Sequence, residues 1–136
     1  MANLVKMTTK ITNNFDRVSR ATDRARNRYL FRGGALVRTT ARRSIRPGKT
    51  ESAPGSPPRT RTKKGKRLRN AIIFGVDRRK KDTLVGPSYE IVGDAGAAHE
   101  FGGRFRDETF PERQFMGPAV KKSAPKLAKF WQDAMK

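Results

Sequence analysis

Apolar side chains recur along the first third of the chain in steps of three and four: Phe15, Val18, Thr22, Ala25, Tyr29, Gly33, Leu36 and Thr40. That is the spacing of one face of a helix. Arg17, Arg20, Arg24, Arg28 and Arg38 fall between them on the opposite, solvated face. The pattern predicts one long helix over about 14–45, with Asn13 at its cap and Asp16 three residues on as a weak capping box. Gly33-Gly34 lies inside the stripe and lowers helix stability. It marks a break, a kink or a close approach of another backbone. Residues 1–13, polar with scattered Leu4, Val5, Met7 and Ile11, read as an arm outside the domain at 14–136.

Pro47-Gly48 ends the helical pattern, and 47–67 shows no apolar period. Pro54, Gly55, Pro57, Pro58 and Gly65 make it an extended basic loop. Loops of this length are usually functional or disordered. Apolar and β-branched residues return at 68–76 and again at 83–86, around a charged tip at 77–82; Tyr89 to Val92 reads as a third strand. Residues 97–101 suit one helical turn, and 104–114 look charged and irregular. Pro118 suits the first position of a final helix reaching Met135, with Val120, Leu127, Phe130, Trp131 and Met135 as its apolar face and Pro125 as a kink or restart. The expected fold is α+β: a long N-terminal helix, a basic Pro/Gly-rich loop, a small antiparallel sheet of three to four strands, and a C-terminal helix packed on that sheet.

Composition adds the charge. Thirty-two Lys and Arg face twelve Asp and Glu among 136 residues, a formal net charge of +20, and apolar residues make up only 35%. A thin core and a polyanionic partner are the expectation: nucleic acid, an anionic surface or an acidic protein face. The charge is uneven. Residues 42–81 hold fifteen basic and two acidic residues, net +13, which leaves +7 for the other 96. With no cysteine and one histidine, neither a disulfide framework nor a thiolate metal site is available. The longest apolar run, Ala71 to Val76, is far shorter than the ~20 residues of a membrane span. The first fifteen residues lack a secretory apolar core. The expectation is a small, soluble, intracellular protein without membrane contact.

Candidate enzyme chemistry fails on spacing. His99 and Glu100 are adjacent and diverge on any regular element, so they make no base–orienter pair. HEFGG lacks the second histidine of a zinc-protease helix, no glycine run matches a phosphate-binding loop, and Asp107-Glu108 sits among arginines. No catalytic, cofactor-binding or metal-ligating residue is assigned, and the expectation is no enzyme. The basic stretch is sharper: Arg59, Arg61, Lys63, Lys64, Lys66, Arg67 and Arg69 form a partner- or DNA-facing arm, and Arg78, Arg79, Lys80 and Lys81 a second basic tip. The arm has no aromatic residue, so any nucleic-acid contact is directed at phosphates and blind to sequence. Phe101, Phe115, Met116 and Trp131 are assigned to the core or a subunit interface. Phe105 and Phe110, in a charged segment, are further candidates for subunit contact.

An ordered set of segments adds a resemblance: Ala41-Arg-Arg-Ser-Ile45, Pro54-Gly-Ser-Pro-Pro58, Leu68-Arg-Asn-Ala-Ile72, Val85-Gly-Pro87, Ala97-Ala-His-Glu-Phe-Gly-Gly103 and Pro111-Glu-Arg-Gln-Phe-Met-Gly-Pro-Ala119. Over roughly 20–136 the chain resembles the small neck proteins of tailed bacteriophages, the head–tail connector, tail-completion and virion-morphogenesis group. Glu-Phe-Gly and Phe-Met-x-Pro-Ala are the most telling pieces. Gln114 departs from the proline members often carry before the Phe, and the arm between Pro58 and Leu68 is more basic.

The resemblance implies a structural virion protein without catalysis or cofactor, made in the host bacterial cytoplasm and located in the neck. It implies a homo-oligomeric ring of six or twelve copies, with portal-side connector or adaptor proteins on one side and tail-terminator or tail-tube proteins on the other. The genome passes through the lumen, so the arm either clamps an acidic neighbour or contacts the phosphate backbone of double-stranded DNA. The alternative is a free, sequence-nonspecific nucleic-acid-binding protein of ribosomal or nucleoid type. A toxin-like nuclease is more distant, since no acid–base constellation supports it.

Overall fold

The computed structural model describes residues 14–60 and 66–134; the predicted arm at 1–13 lies outside them. Helix α1 (Phe15–Ser44) is close to its predicted span, but its start differs. Asn14 occupies the cap position and makes no side-chain cap bond; its carbonyl accepts from the amides of Arg17 and Val18. The N-terminal end of the stripe, Phe15 and Val18, is exposed, and the buried positions are Ala25, Gly33, Gly34, Val37 and Ala41. The helix continues through Gly33-Gly34, and of the three predicted readings the close approach is the one realised. A methyl group on Gly34 would lie 2.5 Å from Phe74 Cδ2 and 2.6 Å from Thr83 Cγ2.

The expected loop at 47–67 is partly structured. β1 (Arg46–Pro47) pairs in parallel with β2 (Arg59–Thr60), and the Gly48 amide donates to Thr60 O at 3.0 Å. α2 (Lys66–Ala71) replaces the first residues of the predicted strand, because Lys, Arg, Leu and Ala favour helix and β-branching starts only at Ile72. From there β3 (Ile72–Asp77) and β4 (Asp82–Pro87) form an antiparallel hairpin in which Ile72 faces Pro87 and Asp77 faces Asp82. Asp77 Oδ1 accepts from the amides of Arg79 and Lys80 and so builds the tip, where Lys81 takes a left-handed φ of 60°.

Among the described residues no third strand joins this hairpin. Tyr89–Val92 is a single helical turn, α3, whose start is set by Ser88 O accepting from Ile91 and Val92 and whose end is Gly93. The pattern YEIV fits either state, and a four-residue run between Ser88 and a glycine has no neighbouring strand among the described residues to choose β for it. α4 (Ala95–Phe101) follows, as expected for 97–101. The supposedly irregular 104–114 holds a second small hairpin, β5 (Gly103–Phe105) with β6 (Glu108–Phe110). Its two-residue turn, Arg106-Asp107, has φ of 48° and 63°, the mirror-image conformation that hairpins prefer. The α+β class therefore stands, but the sheet is divided into separate two-stranded ladders.

α5 (Met116–Ala134) starts two residues before Pro118 and runs through Pro125 without interruption. It lies antiparallel along α1 rather than on the sheet: Tyr29 meets Trp131 edge-on at 5.1 Å, Arg32 stacks over Phe130, Gly33 faces Leu127, and Ser123 bonds Thr40. Ala119 and Ser123 are buried on this face, whereas the predicted Val120 points to solvent and Met135 lies outside the described residues. The core is small. Ala41, Ile45, Ile72, Phe115 and Ala119 close it where the end of α1, the start of β3 and the start of α5 meet, with Leu68, Val85 and Met116 around them.

Candidate functional site

The two segments most telling of the resemblance meet at one buried carboxylate. Glu100, on α4, is 9% exposed; its Oε2 accepts from the amides of Phe115 and Met116 at 2.9 Å, and its Oε1 from Gly117 at 2.8 Å. The first amides of a helix have no partner within it. Pro118, next in line, has no amide to satisfy. Glu100 thus caps α5 from a different element, and sequence spacing gave no hint of it. Gly102 permits the return: at φ 67°, a methyl there would sit 3.0 Å from the Glu112 nitrogen.

Arg113 makes a second tie. Buried to 7% exposure, it donates Nε to Ser52 O at 3.0 Å and a guanidinium nitrogen to Glu51 at 3.3 Å, while its amide donates to His99 O at 2.7 Å. The Gly55 amide donates to Glu112 O at 2.8 Å. The Pro54-Gly55 turn is therefore fastened to the run into α5. Beside it, burial and then the Arg113 charge push the His99 imidazole below its ordinary 6.5, opposed by Glu51. His99 Nδ1 is buried with no hydrogen-bond partner among the described residues.

The predicted basic arm is only partly within the described residues. Arg59 is exposed on β2, and Arg67 and Arg69 lie on α2, the former exposed and the latter half-buried. Arg61, Lys63 and Lys64 lie outside the described residues, and Lys66 is described only as the first residue of α2. Arg78, Arg79, Lys80 and Lys81 are exposed together at the hairpin tip. A further cluster went unrecognised in the sequence. Arg38 and Arg42 on α1 donate to Ile72 O and Asn70 O, and burial, then Arg38 and Arg69, lower the Arg42 pKa.

The aromatic candidates separate. Phe115 is fully buried, Met116 half-buried, and Trp131 half-covered against Tyr29. Phe101 is 76% exposed. Phe105 and Phe110 pack on each other across the small hairpin, with ring centroids 6.1 Å apart. The inner face of β3–β4 rests on α1 through Phe74, edge-on to Phe31, and Thr83, bonded to Leu30 O. Its outer face is uncovered: Ile73 is 50% and Leu84 72% exposed, beside Gly75 and Gly86, where an added methyl would meet nothing. A shallow apolar groove nearby has Val85, Pro87, Tyr89, Phe101 and Met116 on its walls.

Among the described residues no group of His, Asp or Glu could hold a metal ion, and no helix is long and apolar enough to cross a membrane. No protein-family model matches the chain, and no curated protein or solved structure matches it.

Proposed function

We propose that this protein is a non-catalytic structural component of a tailed-bacteriophage neck, one copy of a closed ring that joins the head to the tail or completes the tail end. The observation that carries the reading is the uncovered apolar hairpin face of Ile73 and Leu84, with Tyr89, Ile91 and Phe101 also exposed, on a chain of net charge +20. Large exposed apolar patches mark contact sites on soluble proteins. A ring closes by repeating one heterologous contact, so each copy needs such a face and a different surface to receive it. The resemblance supplies the neck, and the Glu100 cap supports it by joining the Glu-Phe-Gly and Phe-Met-Gly-Pro-Ala segments in one unit.

The test pairs assembly mass with virion yield. After nuclease treatment, native mass spectrometry is expected to find a ring of six or twelve copies, alone or with the flanking neck proteins. Ile73→Asp with Leu84→Asp should leave the helical signal intact, abolish the ring and block joining of heads to tails. Normal virion yield from that variant overturns the reading. A monomer that holds duplex DNA with sub-micromolar affinity at physiological salt replaces it with the free nucleic-acid-binding alternative.

A further inference from the structure

We propose that the concavity between the second half of α1, the β1–β2 ladder and the first half of α5 is a binding cleft for the sugar–phosphate backbone of DNA. The cleft has a volume of about 730 Å³. Among the described residues five cations line it, Arg43, Arg46, Arg59, Lys122 and Lys126, and no carboxylate does. Only Arg59 belongs to the arm predicted over Arg59–Arg69. The others come from two stretches, the end of α1 with β1 and the first half of α5, that the antiparallel pairing of α1 with α5 brings together. Lys122 and Lys126 are one helical turn apart and so share a face of α5.

A second observation points to a ligand here. Ser52, 5% exposed, lies on the cleft wall, and its hydroxyl has no hydrogen-bond partner among the described residues. The hydroxyls of Thr39, Thr40, Ser44 and Ser123 are already engaged with α1 or with each other. A buried unsatisfied hydroxyl is costly, and a ligand oxygen or its bound water would relieve it. Cations with hydroxyls, and few free acceptors, form the donor set that phosphate oxygens use.

The walls decide which polyanion fits. Leu36, Pro57, Pro118 and Ala119 offer small apolar surfaces that suit deoxyribose, and no aromatic side chain lines the cleft among the described residues for a base to stack on. Binding is therefore directed at the backbone and indifferent to sequence. A second copy of this chain is a poor occupant, having only twelve acidic residues against thirty-two basic ones. A phosphodiester brings one negative charge per nucleotide, and each contact releases counterions.

This inference rests on the neck reading only for the source of the DNA, which there is the genome in the lumen. The test is fluorescence anisotropy of the full chain with a labelled random-sequence duplex over a salt series. One variant carries Arg43→Gln, Arg46→Gln, Lys122→Gln and Lys126→Gln. A control removes the same charge from the hairpin tip, as Arg78→Gln, Arg79→Gln, Lys80→Gln and Lys81→Gln. The cleft variant is expected to lose about tenfold or more in affinity and about 3 units of log–log salt slope, the control less than about threefold. Lys122→Gln with Lys126→Gln, both exposed on α5, tests the same direction with less risk to the fold, and Ser52→Ala should weaken binding without lowering the melting temperature.

Equal losses in cleft and tip variants overturn the proposal, because binding then follows net charge alone. Tighter binding of poly-glutamate than of duplex also overturns it, in favour of an acidic protein partner. Cleft-dependent binding by a chain dispensable for virion yield keeps this inference and sinks the neck reading. A neck ring whose two charge variants bind DNA alike does the opposite.

Discussion

Replacing Glu100 by Ala leaves the amides of Phe115, Met116 and Gly117 without their acceptor at the buried start of α5. Losing hydrogen bonds to a charged group and stranding buried donors costs about 2–3 kcal/mol. Urea unfolding of Glu100→Ala should show that loss, with Glu100→Gln between it and the parent; a change under about 0.5 kcal/mol excludes the cap as a stability element. His99, one residue away, sets a pH dependence. Its pKa is lowered in the fold, so below about pH 6.5 the unfolded chain takes up the proton more readily than the native one. Stability from this group is therefore fully present above that pH and falls on acidification, by at most about 1.4 kcal/mol per pH unit. Thermal melts between pH 7.5 and 5.5 should show the decline, and His99→Gln should flatten it. An unchanged slope in the variant rules His99 out as its source.

Among elements, the contact of α1 with the β3–β4 hairpin turns on one missing methyl group. Alanine at 34 gains about 1 kcal/mol of helix propensity. Its Cβ, however, would press on Phe74 and Thr83 at distances real side chains do not reach, and overpacking costs about 1–3 kcal/mol. Gly34→Ala is therefore expected to destabilise. Gly33→Ala meets only the flexible end of Leu127 at 3.1 Å and should be near neutral or stabilising. Denaturant titration of the two variants separates them, and a Gly34→Ala protein more stable than the parent contradicts the close approach. Both glycines looked alike in the sequence. The short hairpin at Arg106-Asp107 was hidden for a related reason: neither residue carries the Asn-Gly or Asp-Gly signature of such a turn, and the fold holds them at positive φ regardless.

For the whole molecule, a small core and a large charge oppose one another. Few large side chains are fully buried, while the uncovered hairpin face and Phe101 leave apolar surface for a neighbour. Copies that each carry +20 repel, so the ring expected above should form more readily as ionic strength rises through the screening range, with the same mass measurement reading it. The basic cleft has the opposite salt response, since its contacts weaken as counterions compete. The two behaviours distinguish the apolar interface from the cationic one in a single salt series.

The α+β class, the long helix over nearly its full length, the β3–β4 hairpin with its charged tip and the C-terminal helix were all legible from periodicity and punctuation, because each depends on residues close in sequence. So was the excess charge, which is a sum and needs no fold. The tertiary structure alone decided the rest. Tyr89–Val92 became a helical turn where no strand among the described residues lies beside it, and α5 found α1 instead of the sheet because Gly33, Ala119 and Ser123 are small enough for two helices to close on one another. Glu100 became a cap, Arg113 a tie to Ser52, and Arg43, Arg46, Lys122 and Lys126 one wall of charge. Each of those roles joins residues from separate elements, and one-dimensional spacing carries no record of which surfaces will meet.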